Sequence, residues 1–276
     1  PPLRRHHQGG RRHPAHPAAV EPAANPGAKR VAVISDVHGN APAIAAVLQE
    51  VAHEDPDLVV FGGDLTWGPL PRETLDLVAS IERPSLFIRG NADRAVLGLA
   101  ARAETSGSEG MAAREVCLLE MHDAAARRFL AGFLEQAVIE VDGLGRARFC
   151  HGTPRSDEEL VTAATPVARM RAMLQWIEEW LLVTAHTHLQ FDREVAGIRS
   201  VNSGSVGRPD QGEPGAFWAM LGSDVELRRT PYDLDEAVAP YRSSGDPLAE
   251  QMVEILKAPP TPAEMTAHAE SLEFSG

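Results

Sequence analysis

Short apolar runs recur along this chain, each closing on glycine or a polar residue, with longer stretches of helical apolar spacing between them. The pattern predicts a buried strand over Lys29–Ser35, then a helix over Ala41–Ala52 with Pro42 in its first turn. A second strand over Leu58–Gly62 follows, then a helix over Glu73–Ile81 and a third strand over Ser85–Arg89. This βαβαβ order implies right-handed crossovers and a parallel sheet. Residues 95–135 break the alternation and read as a helical insertion interrupted at ETSGSEG. Ala137–Val141 and Ala147–Cys150 read as a hairpin across Asp142-Gly143. Thr165–Trp180 has the spacing of a helix, with Met170, Met173, Leu174 and Ile177 as core filler. Short strands are expected at Leu181–Ala185, Asp192–Val195, Ser200–Asn202, Ala216–Leu221 and Val225–Arg229. Residues 233–257 read as one or two helices broken at SSGDP, and the Pro-rich end after them as loosely held. The expected organisation is a disordered tail or expression remnant over 1–28, a domain over 29–232, and a helical extension over 233–276.

Seven residues that bind divalent metals well fall at the ends of five of these runs. They are Asp36 and His38 in VAVISDVHGN, Asp64 in LVVFGGD, Asn91 in LFIRGN, His151 in ARFCHG, and His186 with His188 in LLVTAHTH. Strand C-termini are where an α/β sheet gathers its active-site groups. Asp36 and His38 are two apart, as are His186 and His188, so each pair would share a face on a regular strand. Each motif alone has an ordinary structural explanation, such as a helix cap or a hydrogen-bonded core imidazole; the conjunction does not. Carboxylate, imidazole and amide donors suit Mn, Fe, Zn, Ni or Co rather than a thiolate zinc site.

Composition narrows the partners. The net charge of −13 is uneven: residues 1–30 carry six Arg/Lys and one Glu, leaving −18 on residues 31–276. So acidic a body repels nucleic-acid backbones and anionic membranes, so neither is expected as a bulk partner. Cys117 and Cys150 give no disulfide framework, and a reducing, cytoplasmic setting is the default. No apolar run is long enough to span a membrane, and the first 28 residues lack the apolar stretch of a secretory signal. His6, His7, His13 and His16 fall in that expected tail.

The strings SDVHGN, GDLTWGP, GNAD, HGTP and AHTH, in that order, resemble the calcineurin-like metallophosphoesterase superfamily, and most its small bacterial and archaeal phosphodiesterase branch. The resemblance runs from about Val31 to Tyr232. It is less close to the protein Ser/Thr phosphatases, where Asp-Arg-Gly follows the second motif; here the stretch is Leu65-Thr66-Trp67-Gly68-Pro69. It implies a four-layer αββα sandwich and two divalent metal ions, with manganese the first choice. One ion would rest on Asp36, His38 and His188, the other on Asn91, His151 and His186, with Asp64 bridging. Asp64 and Asn91 would act in catalysis through the metals, a hydroxide held by the pair attacking phosphorus in line.

The chain departs from that pattern at Ala92, where many members carry a histidine that protonates the leaving group. This favours substrates with good leaving groups, aryl phosphodiesters or phosphoanhydrides. Asp93 is expected to orient a ligand imidazole. Asn40, Arg94 and Arg208 are candidate phosphate contacts, and Trp67 a stacking surface for a base or aryl ring; Asn202–Ser205 reads as a structural turn. The function implied is a metal-dependent phosphoric ester hydrolase acting on a small phosphodiester or phosphoanhydride, with homo-oligomerisation left open. The rivals are a diadenosine polyphosphate or nucleotide hydrolase and a non-catalytic scaffold of the same fold.

Overall fold

The computed structural model describes residues 27–272. The expected tail therefore lies outside the described residues except at its end. There Ala28 belongs to the domain: it is buried, its N–H donates to Glu140 O (3.0 Å), and its carbonyl accepts from Asp142 N (2.9 Å).

Two five-stranded sheets face one another. The first has the order β10-β9-β1-β2-β3, comprising β1 (Val31–Ile34), β2 (Leu58–Phe61), β3 (Ser85–Phe87), β9 (Ala216–Leu221) and β10 (Val225–Thr230). The second has the order β4-β5-β6-β8-β7, comprising β4 (Gln136–Val141), β5 (Gly145–Cys150), β6 (Leu181–Thr184), β7 (Phe191–Val195) and β8 (Ile198–Asn202). In the first sheet β1, β2 and β3 run parallel, and in the second β5, β6 and β8 do.

Strand alternation sorts the core into layers. Val31 and Val33 of β1 point between the sheets, where they meet Ile139, Phe149, Val183 and Val201. Ala32 and Ile34 point the other way, against helix α1 (Ala41–Glu54), helix α2 (Pro71–Ala79) and helix α3 (Asn91–Ser106). The outer face of the second sheet packs Leu182 and Phe191 on Met170, Met173 and Leu174 of helix α6 (Val167–Leu174). Helices, sheet, sheet and helix are the expected four layers. Between β3 and β4 the insertion continues from α3 into helix α4 (Ala113–Met121) and helix α5 (Ala124–Ala131). No helix among the described residues is long and apolar enough to cross a membrane.

Two expectations change. The helix expected over Thr165–Trp180 is only α6, because tertiary partners claim its second half. Glu179 is buried and its carboxylate accepts from Arg148 Nε (2.8 Å), while the Trp180 indole N–H donates to Leu144 O. The Pro-rich end is not loose. After helix α7 (Leu234–Ser243) and helix α8 (Ala249–Lys257) it forms helix α9 (Pro262–Ser271), with proline at its start. Thr261 and Glu264 close a capping box at its N-terminus, each satisfying an orphan N–H. Near its other end Glu270 accepts from Thr162 Oγ1 (2.7 Å).

Candidate metal centre

The loops after β1 and β2 prolong the ladder as a backbone zipper. Asp36 N donates to Gly63 O (2.9 Å), His38 N to Asp64 O (2.9 Å) and Gly39 N to Leu65 O (3.0 Å). A third loop joins from β8, with Val206 N on Ser35 O and Gly207 N on Asp36 O. Glycine is needed where these backbones meet: a Cβ on Gly68 would lie 1.7 Å from His38 O, and one on Gly207 1.7 Å from Val37 O.

These loops bring the expected ligands together. Asp36, His38 and His188 offer ligand atoms within 4.8 Å of one another, as do Asp64, His151 and His186. Asn91 completes the second cluster, with Oδ1 3.1 Å from His151 Nε2. The pairs two apart do not converge by strand alternation, because both lie beyond their strands. Instead Asp36, His38, Asp64, His186 and His188 all have left-handed φ, between 48° and 67°. Among the described residues only two other non-glycine residues, Asp55 and Ala196, do so. Such strain costs about 1–3 kcal/mol per residue and persists where the surroundings over-determine it. Its concentration here marks these loops as built for a purpose other than stability.

Each imidazole has one nitrogen occupied from behind. His38 Nδ1 faces Trp67 O (3.2 Å), His151 Nδ1 faces Gly62 O (2.8 Å), and His186 Nε2 faces Glu158 O (3.1 Å). A carbonyl only accepts, so those nitrogens carry the proton; in His38 and His186 the opposite nitrogen presents a lone pair to the centre, while His151 Nε2 faces the oxygens of Asp64 and Asn91. His188 Nδ1 is 3.6 Å from a carboxylate oxygen of Asp210, which orients that ring alike. Asp210 was not among the sequence candidates; only its proximity to His188 in space singles it out.

This arrangement fits divalent cations. His38 Nε2 and His188 Nε2 lie 3.1 Å apart, and with both Nδ1 atoms protonated two lone pairs face one another. Asp36 Oδ1 is buried with no hydrogen-bond partner, 3.3 Å from His188 Nε2. Asp64 turns Oδ1 toward His151 Nε2 (3.4 Å) and Oδ2 toward His38 Nε2 (3.7 Å), so one oxygen faces each cluster.

Burial holds His38, His186 and His188 down at about 4, so all three are neutral at physiological pH. Burial acts the same way on His151, but the charge and hydrogen bond of Asp64, with Asp36, outweigh it and push His151 up to about 10. Asp36 is pushed up to about 6, chiefly by burial and against the pull of His151. Burial would raise Asp64 as well; His151 and His38 hold it well below the usual carboxylate range.

The remaining candidates divide. Asp93 orients backbone rather than an imidazole: Oδ2 accepts from Asp64 N (2.8 Å) and Gly90 N (3.0 Å), and Oδ1 from Leu65 N (3.0 Å). Asn40 is fully buried and its amide is spent on the protein, capping α1 at Ala43 N and donating to Gly207 O and Tyr232 Oη. It is a latch between loops and is withheld from any substrate. Arg94 is spent on Asp157 and Glu158, and lines not the cavity over the clusters but a second one that His151 also borders. Trp67 and Arg208 do line the cavity of about 370 Å³ over the two clusters. So do Arg114 of α4 and Met252 of α8, neither marked by any motif. The Asn202–Ser205 turn braces the ligand loops: Asn202 Nδ2 donates to Ala185 O (2.6 Å), and Ser205 Oγ to Asp36 O (2.7 Å).

Comparison with known proteins agrees with the fold. A hypothetical protein from Pyrococcus horikoshii OT3 superposes with a TM-score of 0.72 at 20% identity, over 84% of this chain and 99% of its own. A metallophosphoesterase from Sphaerobacter thermophilus superposes with a TM-score of 0.65 at 25% identity, over 83% of this chain and 98% of its own. No curated protein matches the sequence. Residues 30–223 match the calcineurin-like phosphoesterase superfamily domain, and the chain belongs to that superfamily.

Proposed function

We propose that this protein is a dinuclear metal-dependent phosphoesterase acting on a small phosphodiester or phosphoanhydride. The observation that carries the reading is Asp64, whose two carboxylate oxygens face two separate ligand clusters. Asp36, His38 and His188 would hold one ion, Asn91, His151 and His186 the other, and Asp64 both. Two divalent cations, when bound, polarise phosphoryl oxygens and lower the pKa of water. Mn²⁺ is the first ion to test.

The chain's own groups are suited to an anionic substrate. The neutral imidazoles of His38, His186 and His188 and the Asn91 amide limit negative charge around the reacting phosphate. Asn91 opens α3, a 16-residue helix whose positive N-terminal end faces the centre. Ala92 N donates to Asp64 Oδ1 (2.8 Å), which fixes that carboxylate. The Ala92 methyl offers no proton, so a leaving group must depart as a stable anion. The free Cys117 and Cys150 suit a reducing compartment, and burial pushes the Cys150 thiol up to about 12, leaving it inert.

The test is hydrolysis of bis-p-nitrophenyl phosphate and p-nitrophenyl phosphate by metal-stripped protein, with and without Mn²⁺. We expect turnover restored by metal, faster on the diester, and abolished by Asp64→Asn with the fold retained. Wild-type rates in Asp64→Asn would refute the bridging role. A protein that takes up no metal and turns over neither ester would point to a scaffold.

A further inference from the structure

Two arginines reach the cavity over the metal centre from outside the ligand motifs. Arg208 lies in the loop after β8, and Arg114 lies on α4. The Nε of each is buried and has no hydrogen-bond partner. Arg208 makes no ion pair within 4 Å among the described residues. Its backbone is pinned to the centre, because its N–H donates to Ser205 Oγ (2.8 Å), which in turn donates to Asp36 O. Arg114 is held from behind by Asp246, a fully buried carboxylate, at 3.2 Å from Nη2. Its helix is tied to the Asp64 loop at its far end, where Thr66 Oγ1 donates to His122 Nε2 (2.8 Å). Among the described residues, Asp64 is the only carboxylate lining this cavity.

A buried guanidinium edge without an acceptor is unfavourable unless an anion completes it. Arginine stays charged at any working pH and cannot supply a proton, but it matches phosphate oxygens bidentately. Alanines at 92 and 95 line the same cavity and supply no proton either. The chemistry left to the leaving group is charge neutralisation in place of protonation, which suits a phosphate and not an alkoxide.

We propose that Arg114 and Arg208 form a subsite for a second phosphate, making the substrate class a phosphoanhydride. This rests on the dinuclear reading. The scissile phosphoryl group lies over Asp64 and Asn91, and the departing phosphate lies against the two guanidinium groups. The oxygen of water bonds to phosphorus, the bond from phosphorus to the bridging oxygen breaks, and that oxygen leaves with the electron pair. The two protons of water end on the product phosphates or in solvent according to pH. The helical insertion and the C-terminal extension together thus set specificity, the first carrying Arg114 and the second holding it through Asp246.

The test compares binding of methylenediphosphonate, a non-hydrolysable diphosphate, with orthophosphate by calorimetry on Mn²⁺-saturated protein. Metal content is measured for every variant. We expect wild type to prefer the diphosphonate by at least tenfold. Arg114→Met and Arg208→Met should each lower that preference by tenfold or more at unchanged metal content, with Arg208→Lys recovering part of it. A preference that survives both substitutions, or a wild type with none, overturns the subsite while leaving the metal reading intact. A protein that takes up no metal yet binds the diphosphonate through both arginines keeps the subsite and overturns the metal reading. Failure to bind either metal or diphosphonate overturns both.

Discussion

Gly90 offers the sharpest test of how the fold sets Asp64. It is the residue before α3, with φ −85° and ψ 170°, a conformation open to any residue. Gly90→Ala therefore introduces no backbone strain of its own, only a methyl group. That methyl would lie 2.0 Å from Asp64 Oδ1, 2.4 Å from Asp64 N and 2.8 Å from Asp64 Cγ. Ordinary carbon contacts are about 3.5–4 Å, so the Asp64 carboxylate and its backbone must retreat by about 1 Å or more. Overpacking of this kind costs about 1–3 kcal/mol, or roughly 2–12 °C in Tm for a domain of this size. A displacement of about 1 Å at a catalytic group lowers turnover by about 10²-fold. Gly98→Ala is the control: it lies on α3 itself, and an added Cβ meets nothing within 4 Å. Its helix propensity alone should raise stability by about 0.8–1 kcal/mol. The assay is thermal unfolding together with kcat/KM on bis-p-nitrophenyl phosphate in saturating Mn²⁺. A Gly90→Ala protein with wild-type Tm and turnover would refute the claim that the Asp64 position is set by close packing on Gly90.

Metal uptake should release protons. In the metal-free protein His151 sits at about 10 and is protonated at pH 7.5, whereas His38, His186 and His188, at about 4, are neutral and Asp36, at about 6, is mostly ionised. Binding at His151 Nε2 expels its proton, so about one proton per chain is released and affinity climbs with pH toward 10. Titrating Mn²⁺ in two buffers of different ionisation enthalpy at pH 7.5 measures this, and zero release would contradict the placement of His151. Glu264→Ala removes one side of the capping box on α9 and should weaken that helix by about 0.5–2 kcal/mol. Hydrogen exchange should then accelerate over Pro262–Ser271 while the β1–β2 core keeps its protection; equal exchange in α9 would show the cap to be idle.

What the chain states locally, it states clearly. Apolar runs of strand length, each ending on Asp, Asn or His, carry the elements β1 to β3 and the seven candidate residues that cluster in the fold, because a strand's period and its terminus are properties of neighbouring residues. The helical spacing after β3 is legible for the same reason, and α3, α4 and α5 lie there. Tertiary structure decided what depends on residues far apart in the chain. Trp180 and Glu179 leave a helical pattern because Leu144 and Arg148 offer better partners, and Asp93 turns to three backbone amides that come together only after β2 and β3 pair. Asn40 looked free for a phosphate until Tyr232 and Gly207 closed on it. Arg114, Met252 and Asp210 carry no motif at all, since a side chain's access to a cavity is set by the packing of α4, α8 and the loop after β8. The candidate donors can be picked out in the sequence because each sits beside its own strand. The cavity wall cannot, because it is assembled from elements that meet only in the folded chain.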